Sequence, residues 1–215
     1  MLKKLLISIS MMLPATGVFP QLPDNPYEGY AEDIYMDIEF EQNLSTPLVG
    51  NEERPEIRKY VKRFAEQHKE GKTIDLMRNG EVMVVTLPSD DLFLPNDTLL
   101  TPYASRLLNP VIAMVTDPMM WKLVYTVNTD DTGSQSYLDK LSTGRLNSIY
   151  DWLLDAIDNG RLNESTIIIP YSMGPTEPMN DNDTRKHRYE NRRVEFYFIP
   201  GPKMIELGRK HLLNP

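Results

Sequence analysis

The feature that most constrains the fold of this chain is a strand, a polar loop and an amphipathic helix that follow one another within residues 121–157. Residues 121–127, which are mostly apolar, predict a strand, and the polar or small residues 128–134 follow it directly. Side chains at strand ends and helix starts lie on rigid elements, so an acid and an arginine there can converge on one small ligand. Asp130 and Arg145 form such a pair, which suits the ammonium and the carboxylate of an amino-acid head group.

The helix of this stretch is predicted to begin with Ser142 as its N-cap. With that start Arg145 falls in the first turn, where exposed backbone N–H groups favour an anion. An alternative is an internal salt bridge between Asp130 and Arg145, which contributes little if it is exposed. The predicted apolar stripe of the helix is Leu146, Ile149, Tyr150, Leu153, Leu154 and Ile157.

Residues in two parts of the chain follow one pattern. They are Thr129, Asp130, Gly133, Tyr137, Leu141, Ser142 and Arg145, and then Asn191, Arg192, Arg193, Val194 and Glu195. This pattern resembles the OmpA-like domain, the peptidoglycan-binding module shared by OmpA, the Pal lipoproteins and MotB. The resemblance covers residues 81–199, and the surrounding sequence is most similar to members from the Bacteroidetes.

The resemblance implies non-catalytic binding of peptidoglycan through the free end of meso-diaminopimelate in the stem peptide. Asp130 would take the ammonium and Arg145 the carboxylate. Thr132, Asn96 and Arg192 match family positions that line the same pocket.

Two arginines near the second motif have other interpretations. Arg192 could pair with Glu195 or Asp131 instead of lining the pocket. Arg188, which precedes the motif, is expected to fix the long loop before it.

The chain departs from the family pattern at three places. Asn128 stands where the family has His, Leu138 replaces an Asn, and residues 170–174 replace Gly-Tyr-Gly. Leu138 is expected to remove one polar contact to the ligand.

The order of periodic segments predicts a two-layer α/β (α+β) sandwich. Its core is a βαβαβ-β domain over 81–199, with a mixed sheet and helices on one face. An extension over 54–80 contains a helix and a hairpin with Asn79-Gly80 at its turn, and 200–215 form a C-terminal helix. Further expectations are a helix capped by Thr101, a strand over 166–169 and a polar loop over 170–190.

The first part of the chain has the features of a secreted protein. Residues 1–17 combine lysines, a short apolar run and small residues, which predicts a signal peptide cleaved near Gly17. Residues 18–53 form an acidic linker rich in Pro and Tyr, in which 34–40 alternate as one strand would. That segment is either a partner contact or added edge strand, or an ordered tail on its own domain.

Composition limits the function classes. A net charge of -8 and a pI near 5.0 argue against nucleic acid and anionic membrane surfaces as partners. The chain has no cysteine, so we expect no disulfide, no thiolate metal site and no lipid-bearing cysteine. No catalytic motif or metal-ligand spacing is present, which predicts a protein that is not an enzyme and needs no cofactor.

Two functions remain open at this point. The first is a peptidoglycan-binding module that is either soluble in the periplasm or held at the outer membrane by another protein. The second is an OmpA-like scaffold without ligand binding, which acts through protein contacts of its acidic N-terminal arm, residues 18–53.

Overall fold

The computed structural model describes residues 33–214. The predicted signal peptide and residues 18–32 of the predicted linker lie outside the described residues. The predicted fold class is confirmed, since helices pack on a mixed five-stranded sheet. The strands are β1 (Thr73–Met77), β2 (Val82–Pro88), β3 (Trp121–Asn128), β4 (Ile168–Gly174) and β5 (Arg193–Pro200). Their order in the sheet is β1-β2-β5-β3-β4.

The last strand in the sequence lies in the middle of the sheet. β5 pairs antiparallel with both β2 and β3, while β3 pairs in parallel with the edge strand β4. This register places Arg193 opposite Pro88, so the start of β5 meets the end of β2. Residues just before β5 and just after β2 and β3 are therefore brought to one end of the sheet.

Most helices lie on one face of the sheet, as predicted. They are α3 (Arg54–His68), α5 (Ala104–Ile112), α6 (Gln135–Asp158) and α8 (Pro202–Arg209), with the short α4 (Ser89–Leu92) and α7 (Arg185–Asn191) at the sheet end. Alternate strand residues such as Val85, Tyr125 and Phe196 meet helix residues such as Ile57 and Leu153 in one core. The predicted extension 54–80 shares this sheet and this core with residues 81–199.

A second apolar cluster covers the opposite face of the sheet. Part of the predicted linker forms two short helices there, α1 (Asp33–Met36) and α2 (Phe40–Asn43). Tyr35 and Leu44 of this arm are buried, and the ring of Phe40 packs edge-on against those of Tyr171 and Tyr197 at 5.3 Å. The prediction of a strand over 34–40 is wrong, because these residues bury apolar side chains on the sheet without pairing to its edge. The interpretation as an ordered tail on its own domain matches the structure.

Polar contacts fasten this arm to the sheet around Lys122. The Lys122 ammonium is buried, donates to the backbone and side-chain oxygens of Asn43, and lies 4.4 Å from the centre of the Tyr35 ring. The Asn43 side-chain N–H in turn donates to the backbone oxygen of Tyr35 and to the Tyr171 hydroxyl. Tyr171 donates to the backbone oxygen of Ile38. A buried ammonium requires such partners, so the arm is part of the folded domain.

Two predicted helix starts are wrong. The helix predicted to begin at Ser142 begins at Gln135, because Ser134 supplies the cap by accepting a hydrogen bond from the backbone N–H of Tyr137. The helix that Thr101 was predicted to cap begins at Ala104, since the Thr101 hydroxyl donates to the backbone oxygen of Asp91 instead.

The strand predicted over 166–169 runs from Ile168 to Gly174, and Pro170 is tolerated because β4 is an edge strand. The predicted loop over 170–190 therefore shrinks to 175–184 between β4 and α7. At the predicted two-residue turn, Arg78 and Asn79 both have positive φ and belong to a 3-10 turn, Arg78–Gly80, which lengthens the connection between β1 and β2.

Replacing Lys122 with Met is expected to make the stability of the protein less dependent on pH. Burial lowers the pKa of Lys122 to about 7, whereas a lysine in an unfolded chain titrates near 10.4. Between these values the unfolded chain binds more protons than the folded one, so the free energy of unfolding of the wild type rises with pH. From pH 7 to pH 9 the free energy of unfolding of the wild type should rise by about 1 to 3 kcal/mol more than that of Lys122→Met, as measured by urea unfolding.

The control for this measurement is Lys59→Met, because Lys59 is an exposed residue of α3. Its free energy of unfolding should depend on pH as that of the wild type does. If wild type and Lys122→Met gave parallel profiles, Lys122 would not be buried as described.

Candidate functional site

The candidate site lies where the loop after β3 meets the start of β5. Asp130 is buried at this point, and one of its carboxylate oxygens accepts a hydrogen bond of 2.9 Å from the backbone N–H of Thr132. The loop is tied to β4, because the backbone N–H of Thr129 donates to the oxygen of Gly174 at 2.8 Å. The carboxylate of Asp130 is thus held in one position.

Arg192 joins two carboxylates at the site. Its guanidinium donates to Asp130 at 2.6 Å and binds both oxygens of Asp90 at 2.8 and 2.7 Å. The hydrogen bonds that Arg192 donates to Asp90, and then to Asp130, raise the pKa of Arg192 against the opposing effect of burial. The alternative that Arg192 pairs with Glu195 or Asp131 is wrong, since Glu195 pairs with Arg193 at 3.0 Å on the other face of the sheet.

Arg145 is buried in the middle of α6, away from the first turn. Its Nε donates to the backbone oxygen of Asp97 at 2.9 Å, and its guanidinium lies 4.9 Å from the centre of the Phe93 ring. Burial lowers the pKa of Arg145, and the negative charge of Asp90 partly opposes this shift. The prediction that Arg145 lies in the first turn of the helix is therefore wrong, and packing sets its position.

One nitrogen of Arg145 has no partner among the described residues of the site. Within residues 33–214, its buried Nη1 has no hydrogen-bond partner. No ion pair joins Arg145 to Asp130 in this part of the chain, so the predicted internal salt bridge is not formed. A buried N–H without a partner costs about 1 to 3 kcal/mol, and an acceptor on a ligand would recover part of that free energy.

A glycine allows the loop that binds Arg145 to lie close to α6. A Cβ atom on Gly144 would lie 2.5 Å from Cγ2 of Thr98 and 3.2 Å from its Cβ, which is closer than packing allows. The backbone of Asp97, next to Thr98, accepts the hydrogen bond from Arg145. Gly144 therefore lets the helix carry Arg145 to this loop.

All five predicted site residues line one open cleft of about 490 Å³. Asn96 and Thr132 are exposed at its surface, and Asn96 has a positive φ of 55°. The other lining residues are Asp90, Phe93, Leu94, Pro95, Thr129, Tyr137, Leu138, Leu141, Arg185 and Arg188. The fold thus brings the five predicted site residues together, while the identity of their ligand stays a prediction.

The departures from the family pattern fall in different places. Leu138 lines the cleft with an apolar side chain. Asn128 lies on the opposite face of the sheet, where its side chain donates to Thr126 and Glu195 at 3.0 and 3.3 Å. Only the change at Leu138 alters the surface that a ligand in the cleft would meet.

The loop over 175–184 is held by Asn191. The side-chain oxygen of this buried residue accepts hydrogen bonds from the backbone of Met179 and Asn180, and its N–H groups donate to Asn180 and Asn182. Arg188 donates to the backbone oxygen of Asn182 at 2.7 Å, as its predicted role in fixing the loop requires.

Sequence reasoning missed several residues of the cleft. Asp90 looks like a solvated acid in a turn, and its contact with Arg192 arises only because β2 and β5 are paired. Arg185 was also missed, since it carries no local pattern. The position of Asp90 directly after a strand that ends beside the second motif is the one signal that could have indicated it.

The described residues give no metal site or membrane span. Between residues 33 and 214, no three His, Asp or Glu side chains converge so that they could hold a metal ion. In the same part of the chain, every helix is too short or too polar to cross a bilayer.

Comparisons with known proteins agree with the architecture. No protein-family model matches the chain. The curated protein named "Probable lipoprotein YiaD" from Escherichia coli K12 is 26% identical over 132 residues, which are 60% of this chain and 57% of that protein. The chain thus spans little more than half the length of this relative.

Solved structures of other proteins have a similar fold. A MotB-like protein from Desulfovibrio vulgaris has a TM-score of 0.56 at 20% identity, over 69% of this chain and 95% of that one. The periplasmic domain of Helicobacter pylori MotB has a TM-score of 0.50 at 19% identity, over 60% and 88%. The chain has the OmpA-like fold. At these identities the likeness concerns the fold of the OmpA-like domain, while the role of each site residue stays a prediction.

The variant Gly144→Ala is expected to destabilise the OmpA-like fold by about 1 to 3 kcal/mol, because the added methyl group overlaps Thr98. The measurement is urea unfolding. The double variant Gly144→Ala with Thr98→Ser lacks the opposing Cγ2 atom and should recover most of the loss. Asn147→Ala, on the exposed side of the same helix, is the control. Equal or higher stability of Gly144→Ala would contradict the described packing.

Replacing Asn191 with Ala should loosen the loop over 175–184. The backbone N–H groups of Met179 and Asn180 lose their acceptor, which we expect to cost about 2 to 4 kcal/mol in unfolding free energy. Amide hydrogen exchange should become faster at these two residues. Asn163→Ala, which removes one exposed local hydrogen bond in another loop, serves as the matched control. Unchanged exchange in Asn191→Ala would show that other contacts hold the loop.

Proposed function

We propose that this protein binds peptidoglycan without catalysis, through the zwitterionic free end of meso-diaminopimelate in the stem peptide. The observation that carries the proposal is that Arg145, whose side chain lines the cleft, has a buried Nη1 without a partner among the described residues. A ligand carboxylate would supply the missing acceptor and a charge-assisted hydrogen bond. Phe93 and Asp97 hold the guanidinium in place for this contact.

Asp130 supplies the opposite charge for the ligand ammonium. One of its oxygens already accepts from Thr132 and the other from Arg192, but each carboxylate oxygen can accept a second hydrogen bond. Asp90 shares Arg192 with Asp130, so the positive charge of Arg192 is divided between two acids. Asp90, Asp130, Arg145 and Arg192 together have no net charge, which suits a ligand group that is itself neutral overall.

The comparisons support a role in the cell envelope. The name of the curated relative describes a lipoprotein, and one structural neighbour is the periplasmic domain of a MotB protein. Together with the predicted signal peptide, these relatives support a periplasmic location. We propose that an outer-membrane protein holds this chain near the wall.

The scaffold alternative depends on an N-terminal arm that is free to contact partners. In the structure Tyr35, Asn43 and Leu44 of the arm are buried against the sheet. This favours ligand binding over the scaffold alternative. Deletion of residues 18–53 would also strip one face of the sheet, so it cannot separate the two functions.

Substitutions in the cleft test the proposal directly. Asp130→Asn and Arg145→Gln should each weaken binding of meso-diaminopimelate by about tenfold to a hundredfold, because each removes one charge-assisted contact worth about 1.5 to 3 kcal/mol. Isothermal titration calorimetry measures the affinity, and sedimentation with protein-free peptidoglycan measures wall association.

Asp131→Asn is the matched control for these substitutions, because Asp131 is an exposed acid next to Asp130 and does not line the cleft. Circular dichroism should show that all three variants remain folded. If folded wild-type protein neither bound meso-diaminopimelate nor sedimented with peptidoglycan, the proposal would be wrong.

A further inference from the structure

The cleft has more positive charge than a zwitterion can use. It is lined by four arginines, Arg145, Arg185, Arg188 and Arg192, but by only two acids, Asp90 and Asp130. The chain as a whole has a net charge of -8, so this local excess of positive charge is opposite in sign to the charge of the whole chain. A zwitterion adds no net charge and would leave the excess uncompensated.

The excess comes from two arginines on α7. Arg185 is exposed, and its side chain makes no hydrogen bond or ion pair with any residue in the range 33–214. Arg188 uses one nitrogen for the backbone oxygen of Asn182, which carries no full charge. Neither guanidinium therefore has a carboxylate partner in the described part of the chain.

The acids closest in sequence to these arginines are paired with other groups. Asp183 lies 2.6 Å from His187, and Glu190 lies 3.5 Å from Lys186 and accepts from Asn180 at 3.0 Å. These contacts leave the positive charge of the two arginines directed to the cleft that they line. An anion from outside the protein can compensate it.

The helix that carries the two arginines is held in place. Thr184 caps α7 by accepting from the backbone N–H of His187, and the buried Asn191 ties its other end to the loop over 175–184. Arg192, the next residue, is fixed by Asp90 and Asp130. A ligand carboxylate would thus meet guanidinium groups on a preorganised element, which lowers the entropic cost of binding.

We infer that Arg185 and Arg188 form a second subsite of the cleft that binds a further carboxylate of the same ligand. This inference rests on the proposed function, since the ligand is the stem peptide whose zwitterionic end lies at Asp130 and Arg145. Such a peptide has two further carboxylates, the α-carboxylate of its γ-linked glutamate and the carboxylate of its terminal alanine. The subsite selects stem peptides in which these groups are free over those in which they are amidated.

The experiment compares four synthetic ligands by isothermal titration calorimetry at low salt. They are free meso-diaminopimelate, the tetrapeptide Ala-γ-Glu-meso-diaminopimelate-Ala, and the same tetrapeptide with an amide at either the glutamate or the terminal alanine. The proteins are the wild type, the double variant Arg185→Gln with Arg188→Gln, and Lys186→Gln. Lys186 is on the same helix and does not line the cleft, so Lys186→Gln removes one positive charge from the helix without changing the subsite.

The wild type should bind the unmodified tetrapeptide about threefold to tenfold more tightly than one of the amidated forms, as expected for exposed or half-buried charge pairs. The form that loses affinity identifies which carboxylate is bound. The double variant should abolish the difference and still bind free meso-diaminopimelate, while Lys186→Gln should behave as the wild type does. The difference should also shrink at high salt.

Two results would overturn the inference, and they differ in what they say of the proposed function. Equal affinity of the wild type for all three tetrapeptides, with free meso-diaminopimelate also bound, would remove the second subsite and keep the zwitterion site. Absence of binding of all four ligands to folded protein would remove both.

Discussion

The ion pairs of Arg192 hold the candidate site together. This one guanidinium joins Asp90, which follows β2, to Asp130, which follows β3, and it lies at the start of β5 between those two strands. Residues that are far apart in the sequence thus meet at one end of the sheet because a strand close to the C-terminus occupies its centre. The same residues set the charge of the cleft, since Arg192 pairs with both acids and neither acid pairs with Arg145.

The short motif before and within β5 acts on three separate parts of the structure. Asn191 holds the loop over 175–184, Arg192 binds the acids of the cleft, and Arg193 pairs with Glu195 on the other face of the sheet. Alternation along the strand sends neighbouring side chains to opposite faces, so one run of residues can serve both. A change in the register of β5 would therefore disturb the loop, the cleft and the second face at once.

The second face of the sheet shows why the N-terminal arm belongs to the folded unit. Val84, Val124 and Ile169 would be exposed there if the arm were absent, and Lys122 would lose the oxygens of Asn43. The arm combines apolar burial with hydrogen bonds to a buried ammonium, which also fixes its position along the sheet. Binding at the cleft and packing of the arm occupy different faces, so substitutions in the cleft leave the arm in place.

The sequence alone determined the fold class, the strands at 81–87, 121–127 and 193–199, and the group of residues around Asp130 and Arg145. It could do so because period-two and helical patterns are local, and because spaced matches to the OmpA-like pattern fix the order of the elements. The start of α6 was misplaced, since Ser134 and not Ser142 is the residue that caps it.

Tertiary structure alone decided which partners the charges take. Asp90 lies at the site because β2 and β5 are neighbours. The loop at Asp97 contacts Arg145 because Gly144 has no side chain. The arm forms helices that cover the apolar residues on the second face of the sheet. Contacts between residues distant in the chain leave no local pattern, and the pairing of charges depends on distances that only the folded chain sets.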